Sequence, residues 1–135
     1  MKLLPIENDK FPFLVIDNFY SAEELEKIWK EIDFLGDKAK PEYNVVAKKH
    51  GKPLASVKRV YLDNLYTTRK TSNILEFFPN KLYSQEVTNT YVNLVPSGVN
   101  FATSNYDTTQ LSYYENKDGY KSHTDVSQHT ALTWI

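Results

Sequence analysis

The clearest pattern of apolar and polar positions lies between Ser21 and Gly36 and predicts an amphipathic helix. Ser21 followed three residues later by Glu24 forms a capping box, a typical helix start. Apolar side chains recur at helical spacing on one face, at Leu25, Ile28, Trp29, Ile32 and Leu35. Pairs of Glu and Lys four residues apart support the other face, at Glu23/Lys27 and Glu26/Lys30. Gly36 is placed to end the helix.

Shorter apolar runs predict strands and two further helices around this one. The run 11–16 is nearly all apolar, so we expect a strand that is buried on both faces. Thr71-Ser72-Asn73 is a candidate helix cap, and prolines and glycines mark the ends of the neighbouring elements. The remaining predicted elements are strands at 57–65, 99–104 and 108–114, one helix from 71–73 to Pro79, and one helix from Asn80 to Pro96.

The stretch 110–125 carries the candidate chemistry. A strand-prone run at 110–114 precedes a turn at 115–119, after which His123 and Asp125 stand two positions apart. Alternate side chains of a strand point to the same face, so His123 and Asp125 would lie side by side. An imidazole and a carboxylate are two of the three protein ligands of the facial triad that holds non-haem Fe(II). A second β-prone run, 129–135, follows the pair.

Strand, glycine turn, Y-x-x-H-x-D, short loop and T-A-L-x-W-I together resemble the iron(II)/2-oxoglutarate oxygenases of the prolyl-hydroxylase type, especially the small forms of marine phages and bacteria. The opening F-x-V-I-D-N-F-Y-S-x-E-E-L at 13–25 is similar to the entry of the same domains. The resemblance implies a mainly β fold with flanking helices (α+β), a double-stranded β-helix or jelly roll. Residues 1–135 would form a single domain, the N-terminal part of an oxygenase jelly roll that is incomplete in this chain.

The resemblance also implies a dioxygenase that hydroxylates a peptide or small-molecule substrate. Fe(II) is the metal, 2-oxoglutarate is the co-substrate, and ascorbate is a further expected cofactor. His123 and Asp125 would be the metal ligands. Tyr113 would donate a hydrogen bond to a 2-oxoglutarate carboxylate, or would instead pack in the barrel. Thr133 and Trp134 lie where the next strand of the family passes the co-substrate.

Two parts of the family pattern have no matching positions. Relatives carry a second His and then a basic residue, usually Arg, whose planar fork binds the distal carboxylate of 2-oxoglutarate. The sequence given ends at Ile135, so we expect it to be a fragment that is inactive by itself, with activity in a longer product. A degenerate relative that keeps H-x-D is the competing interpretation, as a non-catalytic jelly-roll binding module. A third is a local zinc site in which His129 completes H-x-D-x3-H.

Composition narrows the class of partner. The net charge is −1 and cysteine is absent, which excludes thiolate metal sites and disfavours a general nucleic-acid binder. No apolar run approaches the ~20 residues of a membrane span, so we expect no membrane partner and a cytoplasmic location. The segment 37–59 carries seven Lys or Arg residues against two acidic ones. It is either a solvated loop or a lid that attracts an acidic substrate.

Overall fold

A computed structural model describes residues 1–8, 10–36, 48–49, 52–53, 55–121 and 127–135. Within these residues the protein is α+β, which confirms the class predicted from the sequence, although helices hold more residues than strands. The helices are α1 (Ala22–Gly36), α2 (Asn73–Leu82), α3 (Gln85–Leu94) and α4 (Gly98–Ala102). The strands are β1 (Lys2–Ile6), β2 (Phe13–Asp17), β3 (Lys48–Lys49), β4 (Lys52–Pro53), β5 (Ala55–Ser56), β6 (Lys58–Tyr61), β7 (Gln110–Tyr113) and β8 (Gly119–Tyr120).

The described strands associate as four antiparallel pairs: β1–β2, β3–β4, β5–β8 and β6–β7. No closed barrel forms within the residues described above. The chain divides into two compact units, the first built from 1–31 and 68–107 and the second from 32–67 and 108–135. In the described part of the chain, no helix combines the length and the apolar character needed to cross a membrane.

Helix α1 begins with the predicted capping box. Ser21 Oγ accepts a hydrogen bond from the Glu24 backbone N–H at 3.2 Å, and Glu24 Oε2 accepts one from the Ser21 N–H at 2.7 Å. The two predicted ion pairs also form, with Lys27 to Glu23 at 2.8 Å and Lys30 to Glu26 at 2.6 Å. These local contacts confirm the start and the solvent face of the helix.

The buried face of α1 is narrower than the sequence pattern predicts. Ile28, Ile32 and Leu35 are buried, whereas the Trp29 side chain is 46% exposed. Trp29 follows Ile28 by one position, which is about 100° around the helix and therefore beyond the buried stripe. Trp29 therefore lies at the exposed edge of the apolar face that the sequence predicts.

In the first unit, a carboxylate from α1 caps the start of α2. Ser72 Oγ accepts a hydrogen bond from Leu75 N at 3.1 Å and donates one to Glu31 Oε1 at 2.5 Å. Glu31 Oε2 accepts a further bond from Ile74 N at 3.2 Å. Backbone N–H groups at a helix start lack helical partners, and an anionic side chain satisfies them well. The cap predicted at 71–73 is thereby confirmed.

The β1–β2 hairpin is covered on one face only. Helix α3 packs against both strands, but Phe13 and Val15 are exposed and Phe11, just before β2, is 77% exposed. Side chains two positions apart share a face of a strand, so these three residues form one apolar surface. The strand itself was predicted correctly, but its burial on both faces was not.

Two helix predictions need correction, and one predicted strand is a helix. Helix α2 continues through Pro79 to Leu82, and α3 begins at Gln85 rather than Asn80. Residues 98–102 form α4, so the strand predicted at 99–104 is wrong. A Cβ at Gly98 would lie 2.7 Å from Val92 Cα, which shows how closely α4 approaches α3. Phe101 then stacks on Tyr83 at 5.1 Å, a tertiary contact that overrides strand propensity.

The core of the second unit surrounds β6. Val57, Val60 and Leu62 are buried, and Ile32 and Leu35 of α1 belong to the same unit. The predicted strand 57–65 therefore forms, but it ends at Tyr61 and becomes a 3-10 helix at Leu62–Asn64. Leu62 N donates to the Thr109 carbonyl at 3.0 Å, which joins the end of β6 to the start of β7.

Candidate functional site

The two strands before the H-x-D pair, β7 and β8, both pair with the same stretch of the chain, residues 55–61. β7 pairs with β6, with Lys58 opposite Tyr113, and β8 pairs with β5, with Ser56 opposite Gly119. Between these two pairings, Val57 alone lies opposite residues 114–118. The predicted turn therefore does not reverse the chain. Residues 114–118 instead form an excursion, a loop that leaves the ladder and then rejoins the same antiparallel partner. It resembles a large β-bulge.

The excursion 114–118 is closed by its own polar groups. Asp118 N donates to the Glu115 carbonyl at 2.9 Å, and Asp118 Oδ2 accepts from Glu115 N at 2.9 Å. Lys117 adopts φ 76°, a left-handed conformation that is uncommon for a residue other than glycine. Lys58 Nζ donates to Glu115 Oε1 at 2.6 Å, and this hydrogen bond raises the pKa of the lysine. The excursion is therefore also bonded to β6, through Lys58 and Glu115.

Arg59 lies on the other face of β6 and contacts β8. Its side chain is only 4% exposed, and its guanidinium carbon lies 4.9 Å from the centroid of the Tyr120 ring. That distance is within the range of cation–π attraction. Tyr120 is the last residue of β8 and precedes His123 by three positions. A buried cation and an aromatic ring therefore meet directly before the candidate ligands.

Tyr113 is half-buried on β7 and its hydroxyl donates to the Ile32 carbonyl at 3.0 Å. Burial raises the pKa of the phenol, and the nearby Asp33 carboxylate raises it further. The hydroxyl therefore stays neutral and can donate a hydrogen bond, as the predicted contact with a 2-oxoglutarate carboxylate requires. In this structure the donor is occupied by the end of α1. The predicted role of Tyr113 stays a prediction.

His123 and Asp125 lie outside the described residues. Their chemistry fits the expected metal, because a neutral imidazole and a carboxylate both bind Fe(II). Among the residues that the structure does describe, no group of three or more His, Cys, Asp or Glu side chains could hold a metal ion. The proposed ligand pair therefore depends on the sequence.

The run 129–135 is not a strand. All its residues after His129 are exposed, with Trp134 at 84%, and no described segment pairs with it. Strand propensity alone does not form a strand, since the backbone N–H and C=O groups need a partner. Thr133 and Trp134 are both exposed, and their predicted place beside the co-substrate stays a prediction. His129, the third ligand of the zinc alternative, is half-buried.

Sequence reasoning missed the role of Arg59, which it placed in the basic segment 37–59 and in the predicted strand 57–65 without assigning it a contact. The signal was present as a cation between Val57 and Val60, inside a run that alternates like a strand. A charged residue at such a position either points to solvent or is held by a specific contact. To decide between these two alternatives, one must know that Tyr120 lies beside Arg59, and Tyr120 is 61 residues further along the chain.

No family model, curated protein or solved structure matches this chain.

Proposed function

We propose that the chain carries the metal-binding motif of an Fe(II)/2-oxoglutarate-dependent hydroxylase of the prolyl-hydroxylase type, on a jelly-roll scaffold. The observation that supports the proposal most directly is the strand pairing before the motif. β8 is paired with β5 and ends at Tyr120, three residues before His123, so a paired strand precedes the motif. We infer that H-x-D follows in extended backbone, which would present both ligands on one face.

Each residue then has a stated task. His123 and Asp125 would supply two of the three protein ligands of a facial triad, which leaves coordination positions open. Fe(II), when bound with 2-oxoglutarate and O2, would supply oxidative decarboxylation to succinate and CO2 coupled to hydroxylation of the substrate, with one oxygen atom of O2 entering succinate and the other the new hydroxyl group. Tyr113, kept neutral by burial, orients a carboxylate of the co-substrate when its hydroxyl leaves Ile32. Peptidyl proline and small molecules are the substrate classes considered.

The first test is metal binding. The chain has three histidines, His50, His123 and His129, so each can be replaced by Ala in turn. We expect Co(II), an oxygen-stable substitute for Fe(II), to bind with an affinity that falls about tenfold or more in His123→Ala and Asp125→Ala. His50→Ala and His129→Ala are the matched controls and should bind as wild type. Affinity is measured by titration calorimetry and by the visible absorption of bound Co(II).

The second test is activity in the full gene product. We expect succinate formation from 2-oxoglutarate with Fe(II) and ascorbate, and its loss in His123→Ala. Metal affinity that is unchanged in His123→Ala and Asp125→Ala would overturn the proposal. It would favour a binding module in which H-x-D binds no metal. Zn(II) binding that requires His129 would favour the local zinc site.

A further inference from the structure

The register of the β1–β2 hairpin sorts its side chains onto two faces. Residues directly opposite each other in an antiparallel ladder share a face, and the face alternates from one pair to the next. Leu3, Leu14 and Ile16 are half-buried on one face. The other face, which we call the outer face, consists of three opposite pairs: Lys2 with Asp17, Leu4 with Val15, and Ile6 with Phe13.

The outer face is apolar over most of its length and charged at one end. Ile6, Phe13 and Val15 are exposed, and so are Lys2 and Asp17 beside them. A contiguous apolar patch bordered by charged groups is typical of a surface that another molecule covers. Because the lysine and the aspartate carry opposite charges, this face can complement a copy of itself.

Two symmetric arrangements can bring the outer faces of two copies together, since two-fold dimers are the commonest oligomers. A two-fold axis perpendicular to the strands places the charged end of one copy on the Ile6–Phe13 end of the other. Charges would then lose water against apolar groups without gaining a partner. A two-fold axis parallel to the strands instead places Lys2 of one copy on Asp17 of the second, and Ile6 on Phe13 of the second.

The charges of the two copies therefore favour the parallel axis. The four charges then alternate in sign around one end of the interface, so that each lysine lies between two carboxylates. Sheets that stack face to face lie about 10 Å apart, a spacing that a lysine and an aspartate side chain can bridge together. The apolar residues of the outer face meet one another in the same arrangement.

The contact area limits how tightly two copies can bind. Each strand has five residues and is about 17 Å long. Two strands of this length cover less than the ~800 Å² per partner of a standard interface. We therefore expect weak association that depends on protein concentration, in which the charges select the arrangement and the apolar residues supply the attraction.

We propose that the outer face of the β1–β2 hairpin is an interface between two copies of this chain, related by a two-fold axis parallel to the strands, with Lys2 of each copy paired with Asp17 of the other. The interface involves no metal and no residue of the H-x-D motif, so it is independent of the proposed function. It differs from unspecific association of an apolar patch, because it requires a defined pairing of charges.

Sedimentation equilibrium of the chain measures the dissociation constant, without an N-terminal tag because Lys2 adjoins the N-terminus. We expect a monomer–dimer equilibrium for the wild type below about 1 mM protein. Lys2→Glu and Asp17→Lys should each raise the dissociation constant about tenfold or more, because like charges then face each other twice in every dimer.

Two combinations of these changes should restore association. In an equimolar mixture of Lys2→Glu and Asp17→Lys, one copy presents two carboxylates and the other two ammonium groups, so mixed dimers should form at least as well as the wild type. A chain that carries both substitutions again has opposite charges at the two positions and should return to the wild-type dissociation constant.

Lys70→Glu is the matched control, because it makes the same change of net charge at an exposed residue outside the hairpin. It should keep the wild-type dissociation constant, and thermal melting by circular dichroism checks that each variant is folded. A wild type that stays monomeric at about 1 mM would overturn the proposal and leave the outer face to a different partner.

A mixture that associates no better than the single variants would overturn the two-fold arrangement, as would species larger than a dimer. Association that is unchanged in Lys2→Glu would show that the charges play no part and would overturn the proposed pairing. If Lys2→Glu fails to fold, Asp17→Lys and the doubly substituted chain decide, and equal dissociation constants for these two overturn the proposal.

Discussion

The buried carboxylate of Glu31 links helix α1 to the start of helix α2. Its two carboxylate oxygens accept hydrogen bonds from Ser72 Oγ and Ile74 N, and all three residues are buried. An ionised group in the interior is stable only when its oxygens are satisfied. Removing a partner therefore costs more than the hydrogen bond itself, since a carboxylate oxygen then loses its donor.

We predict that Ser72→Ala lowers the free energy of unfolding by about 1–3 kcal/mol, because α2 loses its cap and Glu31 loses a donor. Urea unfolding followed by circular dichroism measures the change. Ser84→Ala is the control, since Ser84 occupies the same position before α3 without a side-chain capping bond. Equal losses in the two variants would show that the Ser72–Glu31 contact is not what stabilises the start of α2.

The sequence predicted one half of this contact. Ser72 was recognisable because a hydroxyl residue before an apolar helical run is a frequent cap. Glu31 was not, because it lies 41 residues away and helical periodicity placed it outside the apolar face. Arg59 was missed for the same reason, since its partner Tyr120 is brought near only by strand pairing. Local capping can be read from the sequence, whereas these long-range polar pairs could not.

Among elements, α1 and α2 are joined by Glu24 in addition to Glu31. Glu24 accepts from Ser21 N at 2.7 Å and pairs with Lys81 Nζ of α2 at 3.0 Å. Desolvation opposes ionisation of this carboxyl, but the hydrogen bonds from Ser21 and Lys81 outweigh it and lower the pKa below the usual value of 4.5. The ionised form is therefore favoured in the folded state.

We predict that this carboxyl makes the protein sensitive to acid. The unfolded chain has the higher pKa and binds the proton first, so the stability that Glu24 contributes is present above its usual value of 4.5 and is lost as pH falls through the lower folded pKa. In Glu24→Gln, the decline of unfolding free energy below about pH 5 should be shallower. Urea unfolding at successive pH values measures this, and Lys81→Met should give an intermediate slope. An unchanged slope in Glu24→Gln would refute the assignment.

Elements with strong local signals were predicted best. α1 had a cap, a periodic face and a terminal glycine, and it starts and ends where the sequence indicates. The strand predicted at 99–104 is α4, because Gly98 permits close contact with α3 and Phe101 stacks on Tyr83. The strand predicted at 129–135 has no described partner. The misplaced elements are those whose structure depends on what lies beside them.

For the whole molecule, the exposed apolar surface is the feature with a direct experimental consequence. Phe11, Phe13 and Val15 share one face of the hairpin, and Trp134 and Leu132 are exposed elsewhere. Contiguous exposed apolar patches promote association, whereas scattered single residues do not. We predict that the chain binds the dye ANS and self-associates as its concentration rises.

Phe11→Ser combined with Phe13→Thr should reduce both dye binding and association, because it breaks the patch. Fluorescence titration and sedimentation velocity measure the two effects. Val99→Thr is the control, since Val99 is exposed on α4 and belongs to neither strand of the hairpin. Dye binding and sedimentation that are the same in wild type and the double variant would locate the association elsewhere.

The fold class and the candidate site could be predicted from the sequence to different degrees. The α+β class followed from periodicity, since helical and strand-like runs alternate along the chain. The strand before H-x-D was also predicted, and β7 and β8 occupy that stretch. The sequence did not predict that β7 and β8 share the partner segment 55–61 across an excursion. Pairing over such separations is decided by global packing, which local patterns do not encode.

The separation between β6 and β7 also has a kinetic consequence. β1 and β2 are joined by a short connection, whereas β6 ends at Tyr61 and β7 begins only at Gln110. Closing a longer loop costs more chain entropy, and this cost precedes the stabilising contacts. We therefore expect the β1–β2 hairpin to form early and the β6–β7 ladder late. During synthesis β6 must wait for β7 to leave the ribosome, with Val60 and Leu62 uncovered in the meantime. The segment that leads to His123 and Asp125 is thus among the last parts of the described chain to acquire its native pairing.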